Sequence, residues 1–138
     1  MRLSTPLPRI CIALGLTDPE ALVAHARTAY DAGERFFEFR LDYLPRPEQG
    51  IGAIRDFLKE CSEASLLATC RRRQNQGRFN GSIEEQLRLL AAAAEAGTRA
   101  VDVEIESAES AGARLDAFRG SAMLVLSYHN FEGTPAME

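Results

Sequence analysis

The sequence predicts an α/β fold of parallel βαβ units, specifically a partial (βα)8 TIM barrel with five strands and about four helices. Short apolar runs with β-branched residues alternate with segments of helical hydrophobic spacing along all 138 residues. Two of these runs carry charges at every second position, which places the charges on one face of a strand. A short motif, Ala-x-x-Ala-Gly-x-Arg, also occurs twice, at 29–35 and 93–99, and each copy precedes an alternating strand.

The boundaries of the elements follow from caps and breakers. Thr17-Asp18-Pro19-Glu20 is typical of a helix start, and Ser82-Ile83-Glu84-Glu85 reads as a capping box. Gly33 and Gly97 are typical of helix ends. The predicted strands cover 9–15, 35–44, 66–71, 101–107 and 123–129, and the predicted helices cover 17–32, 50–63, 82–97 and 109–119. Thr134-Pro135 is interpreted as the start of a further helix.

Composition excludes several classes of protein. With 46% hydrophobic residues the chain is not disordered, and its net charge of −4 argues against a nucleic-acid partner. No apolar run reaches the roughly 18 residues of a membrane span, and the start lacks the apolar core of a signal peptide. We therefore expect a cytoplasmic protein with reduced thiols, and we interpret Cys11, Cys61 and Cys70 as small buried hydrophobic residues. Of the 16 basic residues only Lys59 is a lysine.

The charged strands decide between two architectures. Alternating charges occur on the second and fourth predicted strands: Glu38, Arg40 and Asp42, then Asp102, Glu104 and Glu106. The alternative fold, a flavodoxin-like open sheet, covers its inner strands on both faces and favours wholly apolar runs. Burying unpaired charges would cost several kcal/mol each. A barrel interior lets charges from neighbouring strands pair, so the sequence favours the partial barrel.

The carboxyl ends of the predicted strands carry the candidate functional residues, because barrel sites gather there. Arginine can hold a carboxylate or hydroxyls, glutamate can accept from hydroxyls, and histidine can move protons near neutral pH. This set suits a small polyhydroxylated anion. The candidates are Glu38, Arg40, Arg71 and His129, while Arg72 and Arg73 are interpreted as surface residues.

At these positions the sequence resembles the type I 3-dehydroquinate dehydratases. The most specific feature is an acidic strand, Asp102-Val103-Glu104-Ile105, followed after residues 106–123 by Leu124-Val125-Leu126-Ser127-Tyr128-His129-Asn130. Three shorter matches accompany it: Glu38-Phe39-Arg40-Leu41-Asp42, Thr69-Cys70-Arg71 and Gly77-Arg78-Phe79. The resemblance extends over about residues 9–135.

The resemblance implies a (βα)8 barrel lyase of the shikimate pathway that needs no metal or organic cofactor. In this family a lysine forms an imine with the C3 ketone of 3-dehydroquinate, and a histidine removes a C2 proton and helps expel the C1 hydroxyl as water. His129 matches that general acid/base. Glu38, Arg40 and Arg71 match substrate-binding residues. The implied partner is thus a small-molecule substrate, with no nucleic acid and no membrane.

The sequence also departs from the family pattern. The family's imine-forming lysine ends the sixth strand, beyond Glu138, and Lys59 falls in the predicted second helix, outside the barrel. Asn75 and Gln76 replace a glutamate and a loop glycine. Residues 1–138 are therefore interpreted as the N-terminal part of the barrel, strands one to five, inactive alone, with open sheet edges that favour homo-oligomers. The alternative is a non-catalytic ligand-binding remnant or a truncated reading frame.

Overall fold

A computed structural model describes residues 5–137 and contains one five-stranded parallel sheet. The strand order is β1-β2-β3-β4-β5, so each strand lies beside its neighbour in sequence. The strands are Ile12–Leu14, Phe36–Arg40, Ser65–Thr69, Ala100–Glu104 and Met123–Ser127. This sequential order is that of a barrel wall and not that of a doubly wound sheet, whose order reverses at a switch point. Within the described residues the sheet does not close, because β1 pairs only with β2 and β5 only with β4.

Four α-helices, the predicted number, connect or follow these strands within residues 5–137: α1 (Pro19–Asp31), α2 (Gln49–Glu60), α3 (Ile83–Glu95) and α4 (Ile105–Ala111). Both predicted helix starts are present, but the cap of α1 is Asp18 and not Thr17, the residue three before Glu20. Asp18 accepts a hydrogen bond of 2.8 Å from the backbone N–H of Ala21, and Ser82 and Glu85 form a reciprocal capping box. After α1, Gly33 adopts φ +109°, a left-handed conformation that glycine takes without steric cost.

The hydrophobic core lies between the helices and the outer face of the sheet. Phe57 of α2 is fully buried at its centre, with ring centroids 5.3 Å from Phe37 and 5.6 Å from Phe39. The apolar residues of the strands thus face the helices. The charged residues that lie on the strands, Glu38, Arg40, Asp102 and Glu104, consequently face the other way, toward the concave side of the sheet, as the sequence pattern predicted.

All five strands are shorter than predicted, and α4 starts four residues earlier than predicted. The second strand ends at Arg40 and continues as a 3-10 turn, Leu41–Tyr43. The fourth strand ends at Glu104, and α4 begins at Ile105, so Glu106 is exposed on a helix and does not join the inner face. Residues 105–111 contain mostly good helix formers, and this preference overrides the short alternation. No helix begins at Thr134 within the described residues.

The cysteine prediction is correct at two of three positions. Cys61 and Cys70 are buried, whereas Cys11 is exposed because it precedes β1, which within the described residues has a neighbouring strand on one side only. Among residues 5–137, no helix is both long and apolar enough to pass through a lipid bilayer.

Candidate functional site

Strand register brings the predicted polar residues to one edge of the sheet. Arg40 of β2 lies opposite Thr69 of β3, and Thr69 lies opposite Asp102 of β4. Residues paired across a parallel ladder point to the same face, so these three side chains share the concave side. Two residues after Asp102 on β4, Glu104 lies opposite Ser127 of β5. The carboxyl ends of four strands therefore form one polar cluster.

Glu38 is half-buried and held by the neighbouring strand. Its Oε1 accepts a hydrogen bond of 2.6 Å from the hydroxyl of Thr69, which is fully buried. Its Oε2 has no hydrogen-bond partner among residues 5–137. Glu38 thus keeps one oxygen available to accept from a ligand hydroxyl.

Arg40 is fixed by a bidentate ion pair with Asp42. Its Nε and Nη2 donate to the two Asp42 oxygens at 2.9 and 2.8 Å. The hydrogen bond to Asp42 raises the pKa of Arg40 above its already high ordinary value, so the guanidinium is permanently charged. Nη1 makes no hydrogen bond within the described residues, which leaves it to donate to a ligand.

Arg71 lies two residues beyond the end of β3 and contacts both β4 and β5. Its Nη1 donates to Asp102 Oδ1 at 3.0 Å and to Ser127 Oγ at 2.7 Å, and Ser127 in turn donates to Asp102 at 2.7 Å. Arg71 is only 6% exposed. Burial raises the pKa of Asp102, although the Ser127 hydrogen bond and the Arg71 charge oppose this shift.

Glu104 is the most deeply buried carboxylate of the cluster. It accepts from the backbone N–H of Arg72 at 3.1 Å and from Nε2 of Gln86 at 2.8 Å, and it lies 3.8 Å from Arg71 Nη1. Gln86 is fully buried on α3 and also donates to the carbonyl of Cys70. Glu104 therefore connects an outer helix to the inner cluster.

Two features of this region differ from the sequence interpretation. The sequence did not indicate Gln86 as a residue of the site. The one feature that sets it apart in the sequence is that it is a polar residue within the apolar face of α3. Arg72 is half-buried rather than a surface residue, because its side chain reaches Ser107 of α4 at 3.3 Å while its backbone contacts Glu104. Only Arg73 is exposed as expected.

The structure does not bring His129 into the cluster. β5 ends at Ser127, two residues short of the predicted strand, and His129 is exposed. Its ring stacks on Phe131 with centroids 5.9 Å apart, and within residues 5–137 it forms no hydrogen bond. Lys59 lies on α2, exposed in a groove between α1 and α2 on the outer layer.

The arrangement provides a pair of guanidinium groups and an acceptor carboxylate, which can bind a small anion that carries hydroxyls. Within the described residues, no three His, Cys, Asp or Glu side chains are arranged to hold a metal ion.

A sequence model described as type I 3-dehydroquinase matches residues 10–138 of the chain. The 3-dehydroquinate dehydratase of Desulfotalea psychrophila is 38% identical over 132 residues, covering 94% of this chain and 54% of the relative. That of Methanothermobacter thermautotrophicus is 34% identical over 131 residues, covering 94% and 56%. The chain therefore spans about half the length of the curated relatives it matches.

Solved structures give the same picture. The crystal structure of 3-dehydroquinate dehydratase from Geobacillus kaustophilus has a TM-score of 0.80 and 25% identity, covering 94% of this chain and 52% of that one. A type I 3-dehydroquinate dehydratase from Clostridium difficile, with covalently modified comenic acid, also has a TM-score of 0.80 at 20% identity, covering 93% and 53%. The second likeness bears on the fold alone.

Proposed function

The chain belongs to the type I 3-dehydroquinase family, and we propose that it forms strands one to five of a barrel that dehydrates 3-dehydroquinate to 3-dehydroshikimate. The observation that carries this proposal is the cluster of Glu38, Arg40 and Arg71 at the carboxyl ends of adjacent strands. It offers cationic donors and a carboxylate acceptor, which suit the carboxylate and ring hydroxyls of this substrate.

Substrate binding uses the donors and acceptors that the protein leaves unoccupied. Nη1 of Arg40 and Oε2 of Glu38 have no partner within residues 5–137. Within residues 5–137, Arg71 forms its side-chain hydrogen bonds through Nη1 alone, to Asp102 and Ser127, so its Nε and Nη2 remain to donate to substrate oxygens. The internal partners hold each group in place before the substrate arrives, which lowers the entropic cost of binding.

His129 serves as general acid/base in this proposal. Its imidazole takes a proton from C2 of the substrate, the C1–C2 double bond forms, and the C1 hydroxyl leaves with that proton as water. The same proton thus enters and leaves the imidazole, and the net reaction is loss of one water. His129 follows Ser127 by two residues in the chain, and Ser127 itself contacts Arg71.

The amine that forms an imine at the C3 ketone comes from polypeptide outside these 138 residues. Lys59 is the only lysine, and it lies on the outer face of α2, whereas the cluster lies on the concave face of the sheet. The ketone and this amine would condense with loss of water, and hydrolysis after dehydration would restore both.

The test is complementation. We expect the chain alone not to convert 3-dehydroquinate, and the chain mixed with the unmatched C-terminal part of the Desulfotalea psychrophila relative to convert it. His129→Ala should lower the rate by about 10²–10⁴-fold, as expected for loss of a general acid/base. His25→Ala, at an exposed position on α1, is the matched control and should leave the rate unchanged.

A second set of variants addresses the lysine. Lys59→Arg should leave complemented activity unchanged, and borohydride should trap the substrate on the complementing fragment, as seen by mass spectrometry. Turnover by the chain alone, or trapping on Lys59, would contradict this assignment of the amine.

The same absence of a lysine at the cluster favours one other function, ligand binding without catalysis. Titration of the chain with 3-dehydroquinate distinguishes the two: binding that is lost in Arg40→Ala, with no turnover even after complementation, would identify a binding remnant.

A further inference from the structure

The turn that follows β2 touches both Arg40 and the loop that follows β3. Asp42 has a fully buried side chain that accepts three hydrogen bonds. Two come from the Arg40 guanidinium at 2.9 and 2.8 Å, and the third comes from the backbone N–H of Arg78 at 3.1 Å. One carboxylate therefore joins a strand residue to a loop of the next βα unit.

Tyr43 makes a second connection between the same two partners. The guanidinium carbon of Arg40 lies 4.9 Å from the Tyr43 ring centroid, and that of Arg78 lies 3.8 Å from it. Both distances are within the range of cation–π attraction. The ring is seated against the end of β1, since a Cβ added at Gly15 would come within 2.9 Å of it.

The loop in turn leads directly to Arg71. We call residues 70–82 the β3–α3 loop. Within it the backbone N–H of Phe79 donates to the carbonyl of Arg71 at 2.9 Å, and that of Arg73 donates to the carbonyl of Phe79 at 2.9 Å. Arg78 is thus one residue from a hydrogen bond that fixes the backbone of Arg71.

We propose that Asp42 and Tyr43 are positioning residues that clamp Arg40 to the β3–α3 loop and so set the relative placement of Arg40 and Arg71. The ligand assigned to these two arginines rests on the proposed function. Because Asp42 occupies Nε and Nη2, Arg40 meets the ligand through Nη1. The two guanidinium groups are held as a pair before the ligand binds, which lowers the entropic cost of binding.

Tyr43→Leu and Tyr43→Phe form the matched test. Phenylalanine keeps the ring and both cation–π contacts, whereas leucine keeps an apolar side chain and removes both contacts. In Tyr43→Leu we expect the hydrogen exchange of the Arg78 amide and the dissociation constant for 3-dehydroquinate each to rise about tenfold. In Tyr43→Phe both should stay within about twofold of the wild-type values. Exchange is measured by NMR on the free protein, and binding by calorimetry.

The outcomes separate the clamp from the proposed function. Unchanged exchange in Tyr43→Leu, or faster exchange with unchanged affinity, would overturn the clamp. If the wild-type chain binds no 3-dehydroquinate, the ligand assignment fails. The clamp is then tested on the free protein alone: Tyr43→Leu should both speed the exchange of the Arg78 amide and shift the NMR signal of the Arg40 Nε–H, and no change in either would overturn it. If Tyr43→Leu does not fold, Asp42→Asn replaces it, with the same faster exchange expected at Arg78.

Discussion

The polar cluster buries charged side chains, whereas the last strand, β5, exposes apolar ones. Arg71, Asp102 and Glu104 are charged, yet they are 6%, 5% and 1% exposed. Leu124 and Leu126 of β5 are apolar, yet they are 36% and 51% exposed. The charged residues lie where strands have neighbours on both sides, whereas β5 pairs only with β4 within the described residues. Burial in this molecule is thus decided by the presence of neighbouring elements, and polarity decides only which partners are then required.

The largest effect is expected from removing the charge at the centre of the cluster. Arg71→Met leaves Asp102 and Glu104 buried without their cation, which should lower the free energy of unfolding by about 3–5 kcal/mol. Arg119→Met is the matched control. Its partner Asp116 and the arginine itself are 60% and 85% exposed, so the change should cost less than about 1 kcal/mol. Urea unfolding of the two variants measures the contrast, and equal losses would show that the cluster is not a buried network.

Leucines on the two regions give the next contrast. Leu66 of β3 is fully buried, so Leu66→Ala should cost about 2–5 kcal/mol through lost packing and the cavity left behind. Leu126→Ala on β5 should change stability by about 0.5 kcal/mol or less, because half of the side chain is already in contact with water. Self-association, measured by analytical ultracentrifugation, should weaken only in Leu126→Ala. A large stability loss at Leu126 would mean that β5 is packed as tightly as β3.

Glycines near the polar cluster and after β5 extend the comparison of the two regions to the backbone. A Cβ at Gly77 would lie 2.1 Å from the carbonyl oxygen of Arg71, so the backbone must move to admit it. Gly77→Ala should therefore cost about 1–3 kcal/mol and shift the NMR signals of Arg71. A Cβ at Gly133 meets no atom of the described residues within 4 Å, and Gly133→Ala should be neutral within about 0.5 kcal/mol. Tolerance of alanine at Gly77 would indicate that the β3–α3 loop is not held against Arg71.

The sequence predicts the strand residues of the cluster better than it predicts Gln86 on α3 or the position of His129 after β5. Glu38 and Arg40 alternate with apolar residues, and this period of two is enough to place both on the concave face. Gln86 could not be found in this way, because one polar residue among the leucines of α3 has the same appearance as the border of an amphipathic face. Its role follows only from the position of Glu104 on another strand.

The position of His129 was unpredictable for a different reason. The run from Met123 continues in strand-like residues to Tyr128, so local preference extends the strand beyond its observed end at Ser127. Strand length also depends on the neighbouring strand, and β4 ends at Glu104, the residue opposite Ser127. Pairing between strands is a tertiary property, and it overrides local preference here.

The pH dependence of stability should have opposite signs at a buried and an exposed carboxylate. Burial raises the pKa of Asp102 above its ordinary value near 3.8, so its contribution to stability is complete below that value and is lost as pH rises through the raised pKa. The Ser82 backbone hydrogen bond lowers the pKa of Glu85 below its ordinary value near 4.5. That contribution is therefore present above the ordinary value and is lost as pH falls through the lowered pKa.

Asp102→Asn and Glu85→Gln isolate the two contributions, since glutamine retains the capping box. The difference in unfolding free energy between the wild type and Asp102→Asn should shift against the wild type as pH rises above the ordinary pKa of aspartate. The difference in unfolding free energy between the wild type and Glu85→Gln should shift in favour of the wild type as pH rises through the acidic range. Urea unfolding at a series of pH values measures both slopes. Slopes of the same sign would mean that hydrogen bonds and the Arg71 charge outweigh desolvation at Asp102, and that the inner cluster is better solvated than its burial indicates.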